Sequence, residues 1–412
     1  MDGTKPGGAP DVHALRVPLL HARRDLKMAR DPHAFVRGST KSFYECLANV
    51  TTVAIPQGPT VWICGDAHVG NLGPIARCDE RVVVELRDLD QSVPGNPAHD
   101  LVRLGLSLAM AARSSTLPGV VTAQLMEELT SGYLAALDEP EHTEPSHDSA
   151  AVRFVLREAL KRKWQHLRRE SFRKRPKLPF GRRFMKLGDD ERQAVEAFLD
   201  RERVRQLVTL IECRDDEAQT RVLDAAFWVK GCSSLGLWRC AALIEVAGHG
   251  ASRGRYSLLD LKEAVAPIAP ITAAERLPTS NAERVVRGAQ ALSPALGKRM
   301  LFGELLGRSV FVRELMPQDL KIELEMMDAN EARATARALA HVVGIAHGRQ
   351  MDLATRTEWR NTLENATTRW LDAPSWLWSS VTELIGIHER AYLEHCRRYA
   401  LRLEKAGQGA AA

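Results

Sequence analysis

The sequence predicts an α+β fold of two lobes, one rich in helix and one built on a small antiparallel sheet. Three observations predict it. At 412 residues the chain exceeds what one small core serves, since single cores stop growing at roughly 250–300 residues. Short runs rich in Val, Leu, Ile and aromatic residues gather between residues 219 and 318. Helical spacing of apolar residues dominates on either side. The expected organisation is a tail over 1–30, a helix-rich lobe over 31–218, a strand-rich lobe over 219–318, and helices over 319–412 that complete the larger lobe.

Taken in order, Val61-Trp62-Ile63-Cys64 reads as a short buried strand, followed by the Gly-bounded loop Gly65-Asp66-Ala67-His68-Val69-Gly70-Asn71-Leu72-Gly73. A second strand, Arg81–Leu86, ends in the acidic pair Asp88 and Asp90. Pro94-Gly95-Asn96-Pro97 makes a turn, and Asp100-Leu101 opens an amphipathic helix to about Arg113. Residues 120–215 are mostly helical in pattern and include a basic stretch from Arg153 to Lys186. Strands are expected at Ala226–Val229, Ala241–Val246, Tyr256–Leu261 and Val310–Leu315, with a helix at Asn281–Leu292 among them. Helical spacing returns from Asn330 through Arg349 and again over Ser375–Leu403.

Composition narrows the function classes. A net charge of +5 is mild for this length and does not require a nucleic-acid partner. Polyanion binding by the Arg153–Lys186 stretch is disfavoured, because its aromatic residues, Trp164 and Phe172 among them, do not read as a stacking series and a solvated helix face explains its charge. No apolar run approaches the 18 or so residues of a membrane-crossing helix, and the Gly-rich start lacks a signal-peptide core. Seven cysteines without a C-x-x-C pair argue against disulfides and structural zinc. Reduced thiols and a cytoplasmic location are expected.

The loop after the first strand carries the chemistry. Phosphoryl transfer needs an oriented nucleophile, metal ions that neutralise phosphate charge, and a cation on the phosphates that stay behind. A kinase-type site meets the first two with D-x-x-x-x-N, then a strand and a further Asp. Asp66, Asn71 and Asp88 have that spacing. Asp66 is placed to accept an acceptor hydroxyl's proton. Asn71 and Asp88 offer the oxygen ligands that Mg2+ prefers, with Asp90 a second metal carboxylate or a turn cap. Asp and Asn alone often only stabilise turns, so the weight rests on the whole arrangement.

The segments Gly65–Asn71, Asp88-Leu89-Asp90 and Gly95-Asn96-Pro97-Ala98-His99-Asp100-Leu101 resemble the catalytic region of the aminoglycoside phosphotransferase and choline kinase group, with Cys64 where that group has histidine. Phe35-Val36-Arg37-Gly38-Ser39, the Gly-Asp-Ala-His loop, Arg313-Glu314-Leu315 and Ala346-His347 are similar to a bacterial domain of unknown function numbered twenty-two fifty-two. The first resemblance implies a protein-kinase-like fold using ATP and Mg2+ and a small-molecule hydroxyl acceptor; the second implies no activity.

No glycine-rich hairpin or strand lysine precedes Asp66, but residues 229–263 contain both. Gly231, Ser233, Ser234 and Gly236 form a candidate phosphate-covering loop, and Lys262 follows the strand Tyr256–Leu261. Glu283 is the expected partner of Lys262, since Glu263 points to the opposite face of its strand. Val310–Leu315, with Glu314 and Leu315, is the expected hinge beside adenine, and Ala332–Arg349 resembles the helix before a catalytic loop. Such parts in rotated order predict a circularly permuted kinase-like fold.

Arg37, Lys41 and His68 are candidate contacts for substrate or anion, although Arg37 suits a structural ion pair equally and His68 and His347 suit packing. Lys321 matches the near-family pattern and receives no role. Asp100 is expected to cap its helix and orient the loop. Three rivals were weighed. A metallophosphoesterase would share the Gly-Asp-Ala-His fragment but lacks the further ligands for two metals. Nucleotidyl (AMP) transfer needs only ATP bound in reverse. A non-catalytic nucleotide-binding pseudokinase is disfavoured by the presence of Asp66, Asn71, Asp88 and Lys262 together.

Overall fold

A computed structural model describes residues 12–49, 54–79, 81–115, 117–138, 150–161, 177–210, 217–247, 255–273, 277–317, 319, 328–366 and 375–410. The fold is mixed α/β with antiparallel sheets. Lys321 and residues 162–176 of the basic stretch lie outside the described residues.

The chain begins with helices α1 (Val12–Arg30), α2 (Pro32–Gly38) and α3 (Thr40–Leu47). Residues 12–30, expected as tail, are therefore structured. Arg16 holds buried Glu191 at 2.8 Å and lies 4.4 Å over the Phe227 ring, so two desolvated contacts fix the helix. Four short strands follow: β1 (Val61–Ile63), β2 (Leu72–Ala76), β3 (Val82–Leu86) and β4 (Val93–Gly95). β1 pairs with β4 and β2 with β3, both antiparallel. The expected turn at Pro94-Gly95 is thus half strand, because Pro94 sits across from Trp62 in a two-stranded ladder that has an open edge.

Helices α4 (Ala98–Ser114), α5 (Gly119–Asp138) and α6 (Ala150–Lys161) come next, then β5 (Phe184–Met185), α7 (Asp189–Leu199) and α8 (Glu202–Thr209). The strand-rich part holds β6 (Thr220–Trp228), β7 (Arg239–Val246), β8 (Arg255–Glu263), α9 (Asn281–Leu292), α10 (Pro294–Gly297), β9 (Met300–Leu305) and β10 (Arg308–Leu315). Apolar Ala282, Val285, Val286, Ala289 and Leu292 are buried along one side of α9, and Ser280 caps it by accepting from the Glu283 N–H. The chain closes with α11 (Ala329–Gly348), α12 (Leu353–Ala366) and α13 (Trp376–Ala410).

Six strands form one sheet in the order β5-β6-β7-β8-β10-β9. One face buries Phe227, Cys240, Ile244, Leu261 and Val312 against Leu20 of α1 and the Val195–Val208 region of α7 and α8. The opposite face carries Trp228, Asp260, Lys262 and Arg313, of which Lys262 and Arg313 reach the segment Arg87–Asp90. A second and larger core joins β1–β4 with α4, α5, α9, α11 and α13. Residues from the first third of the chain and from α11 and α13 therefore share this core.

Candidate functional site

The loop between β1 and β2 is held from below by α4. Asp100, fully buried in the first turn of α4, accepts from the Cys64 N–H at 2.7 Å and the Gly65 N–H at 2.9 Å. Pro97 is the residue before that helix and Asp100 does not cap it, so orienting the loop is its whole expected role that the geometry retains. His347 on α11 meets Asp100 at 3.1 Å and Tyr133 at 3.0 Å, and Trp359 donates to that tyrosine at 3.1 Å. Gly65 sits at φ +71°, and a Cβ there would stand 2.4 Å from the Gln91 carbonyl, so only glycine fits the bend.

Past the bend, Asp66 receives Arg103 of α4, whose Nε and Nη2 each lie 2.8 Å from Oδ1. Arg103 is fully buried, donates to the Val36 carbonyl at 2.6 Å and stands 4.8 Å over the Phe43 ring. The Asp66 Oδ2 lies 4.0 Å from His68 Nε2. Burial pushes the His68 imidazole down to about 4, against the pull of Asp66, so it is neutral at physiological pH. Arg37 lies beside Gly70, and Lys41 is an exposed residue 3.7 Å from Glu45.

Asn71 departs from its expected role. Its Oδ1 accepts from the Asp88 N–H at 2.5 Å, while its Nδ2 donates to the Asp88 carbonyl at 2.6 Å and the Asp66 carbonyl at 3.3 Å. A carboxamide used on both ends ties the two acidic positions together and does not present a bare oxygen to a cation. Among the described residues no group of three His, Cys, Asp or Glu is arranged around a metal position. The hard-oxygen donors left are the Asp88 carboxylate, more than half exposed, and Asp90. That set still fits Mg2+, which commonly takes one or two carboxylates and completes its shell with water and phosphate.

Lys262 reaches these carboxylates from the sheet. Its Nζ contacts Asp90 Oδ2 directly and lies 3.7 Å from Asp88 Oδ1. Burial lowers its pKa, with Asp88 opposing the shift. What burial the Asp88 carboxyl suffers is outweighed by Lys262, then Arg313 and Arg239, which hold it well below the usual carboxylate range. Glu283, the expected partner, pairs at 2.6 Å with Arg287 on its own helix. One position further on, buried Arg284 points to the site and donates to the carbonyls of Asp90 at 2.8 Å, Ser92 at 2.6 Å and Val265 at 3.0 Å. α9 therefore supports the acidic turn with a cation and leaves Lys262 to the aspartates.

The Gly231–Gly236 turn joins β6 to β7 and packs under α1. Lys27 donates to the Gly231 carbonyl at 3.1 Å, and His13 Nε2 lies 3.1 Å from the Gly236 carbonyl. A cleft of about 470 Å³ opens between Ser233, Ser234 and Gly236 on one side and Asp66, Asp88 and Asp90 on the other, with Lys41 and His21 at its walls. Glu314 and Leu315 do not line it. Both backbone polar groups of Glu314 are taken by Arg299, at 3.1 and 2.7 Å, its side chain accepts from Ser257 at 2.7 Å, and Leu315 packs with Trp228 and Leu258. A second cavity of about 290 Å³, behind the β2–β3 hairpin between Arg77, Glu85, Lys298 and Arg349, contains none of the expected residues.

Arg103 and Arg284 were not singled out from the sequence. The signal was there in part: each is an arginine embedded in an apolar helix face, where a cation needs a buried partner.

Compared with known proteins, residues 16–398 match the model of a family described as "Uncharacterized protein conserved in bacteria (DUF2252)". No curated protein and no solved structure gives a significant match.

Proposed function

The chain belongs to this bacterial family, and from its cleft we propose an ATP- and Mg2+-dependent phosphotransferase of permuted kinase-like architecture. One observation carries the reading: Asp66, Asp88 and Asp90 face the Gly231–Gly236 turn across one cleft, and Lys262 spans to the acidic pair. The order of parts supports it too. Followed from β6, the chain runs through a turn, a strand lysine, a helix, two further strands and α11. It then continues, at the other end of the sequence, through Asp66, Asn71, the β2–β3 hairpin and Asp88.

In this reading Asp66 accepts the proton of the acceptor hydroxyl, its Oδ1 fixed by Arg103 so that one oxygen keeps a constant aim. Asp88 and Asp90 would hold Mg2+, which would neutralise phosphate charge. Lys262, within reach of both aspartates, would contact the phosphates. Asn71 positions Asp88, and the acceptor is a hydroxylated small molecule.

The test is transfer from γ-labelled ATP by wild type and by the Asp66→Asn, Asp88→Asn and Lys262→Met variants. Losses of about 10²–10⁴-fold are expected for Asp66→Asn. Undiminished transfer by a folded Asp66→Asn protein rejects the assignment. Incorporation of α-label instead of γ-label assigns nucleotidyl transfer.

A further inference from the structure

On the same sheet face as Lys262, next to the strand read as a hinge, lies a set of cations with too few carboxylates. Asp260 is fully buried and accepts from Arg239 at 2.7 and 2.5 Å and from its cross-strand neighbour Arg313 at 3.1 Å. Arg313 also donates at 2.8 Å to the carbonyl of Arg87, across the gap between the lobes. Arg87 turns its Nη2 to the Asp319 carbonyl at 3.0 Å, while its Nε and Nη1 are buried with no partner among the described residues. Lys230 stands 4.1 Å above the Trp228 ring, and among the described residues no carboxylate pairs with it. The other acids that act on Arg313 are engaged, Asp319 with Arg299 at 3.1 Å and Asp88 with Lys262 at 3.7 Å.

Arg239, Arg313 and Lys230 thus gather round one carboxylate, and Arg87 adjoins them through its carbonyl. Packing like charges away from water is unfavourable unless an anion joins them. Burial first, and Arg239 next, push the Lys230 ammonium well below its usual range, with Asp260 opposing the shift. The face is equally unsuited to a purine, because pockets for flat heterocycles are lined mainly by apolar groups. Two guanidinium forks beside an ammonium suit phosphate oxygens, which arginine binds in pairs. Lys230, Arg87 and Arg313 each keep some surface open, so a ligand has access.

We propose that Lys230, Arg87, Arg239 and Arg313 form a binding site for a phosphate-bearing group on the sheet face beside Lys262. The site goes beyond the phosphotransferase reading and does not need Asp66 to act as a base. Its occupant is either a phosphorylated small molecule or the phosphates of ATP itself, turned toward the sheet.

The experiment is calorimetric titration of the full chain with inorganic phosphate and pyrophosphate in metal-free buffer. Lys230→Met and Lys230→Arg are titrated in parallel, with circular dichroism melts as the check of folding. Saturable pyrophosphate binding by the wild type is expected, weakened about tenfold or more in Lys230→Met and restored in Lys230→Arg. Affinity should fall as salt rises, as for any ion-paired ligand. Mutual exclusion of pyrophosphate and ATP assigns the site to ATP's own phosphates; simultaneous binding assigns it to a separate phosphorylated molecule. Absence of saturable binding by phosphate, pyrophosphate and ATP overturns the proposal, as does equal binding by a folded Lys230→Met protein. Titration of Asp66→Asn separates the two readings, since it should bind pyrophosphate like the wild type even where phosphoryl transfer is lost.

Discussion

At the scale of single residues, the site depends on which partner each charged group takes. Asp66, Asn71, Asp88 and Lys262 could be singled out from spacing alone, because spacing in a loop or strand fixes which groups share a neighbourhood. Their partners could not. Lys262 contacts Asp90 and not Glu283, and Asn71 bonds to the Asp88 peptide, since these choices depend on a helix rotation and on carbonyls that no motif encodes. The buried histidines make a prediction of their own. His388 is fully buried and burial lowers it to about 3, while His68 is lowered to about 4, both from an ordinary 6.5. Each folded value lies below the unfolded one. Between pH 6.5 and 4 the unfolded chain therefore binds protons that the folded chain refuses, and stability falls with pH across that window. Urea midpoints measured from pH 8 to pH 4 should drop below about 6.5 in the wild type. They should drop less steeply in His388→Phe, and parallel curves for the two proteins would remove His388 from the account.

Among the elements, those with strong periodicity were legible in advance. The helix at Asn281–Leu292 lies where its apolar spacing placed it, and β7, β8 and β10 lie within a few residues of the runs that announced them. β2, β4 and β9 were not legible: Leu72–Ala76 contains Gly and Pro, Val93–Gly95 reads as a turn, and Met300–Leu305 has a glycine in its middle. Such strands form because a partner is present, and pairing is not a local property. The closest approach between helices is also unreadable from one segment. At Gly132 of α5 a Cβ would stand 2.2 Å from the Arg337 carbonyl of α11, and at Gly344 of α11 one would meet Ala136 at 2.6 Å. α11 carries His347 to Asp100, so this spacing sets the loop's support. Gly132→Val should therefore cost about 1–3 kcal/mol of stability, read as a lower urea midpoint. It should also reduce any phosphotransfer more than a surface substitution of equal thermal cost does. A Gly132→Val protein as stable as the parent would show that the helices can separate without loss.

For the molecule as a whole, two cores meet across a cleft, and each lobe contributes groups that are incomplete without the other. The mixture of helices with antiparallel sheet was legible as a class. The structured α1 was not, because its polar His13, Arg16 and His21 look like tail residues until Glu191 and Gly236 are set beside them. The long-range tie is testable. Replacing His347 by Ala removes one hydrogen-bond partner from the buried Asp100 carboxylate, and a buried group left short of a partner costs about 1–3 kcal/mol. Hydrogen exchange at the amides of Cys64 and Gly65 should quicken in that variant, and unchanged exchange there would limit the effect to α11. The same tie has a consequence for biosynthesis. Asp100 leaves the ribosome 247 residues ahead of the histidine that holds it. At roughly 5–20 residues per second, that interval is on the order of tens of seconds. During it Asp100 lacks the histidine that meets it, so the support beneath the Gly-Asp turn is complete only once residue 347 has been made.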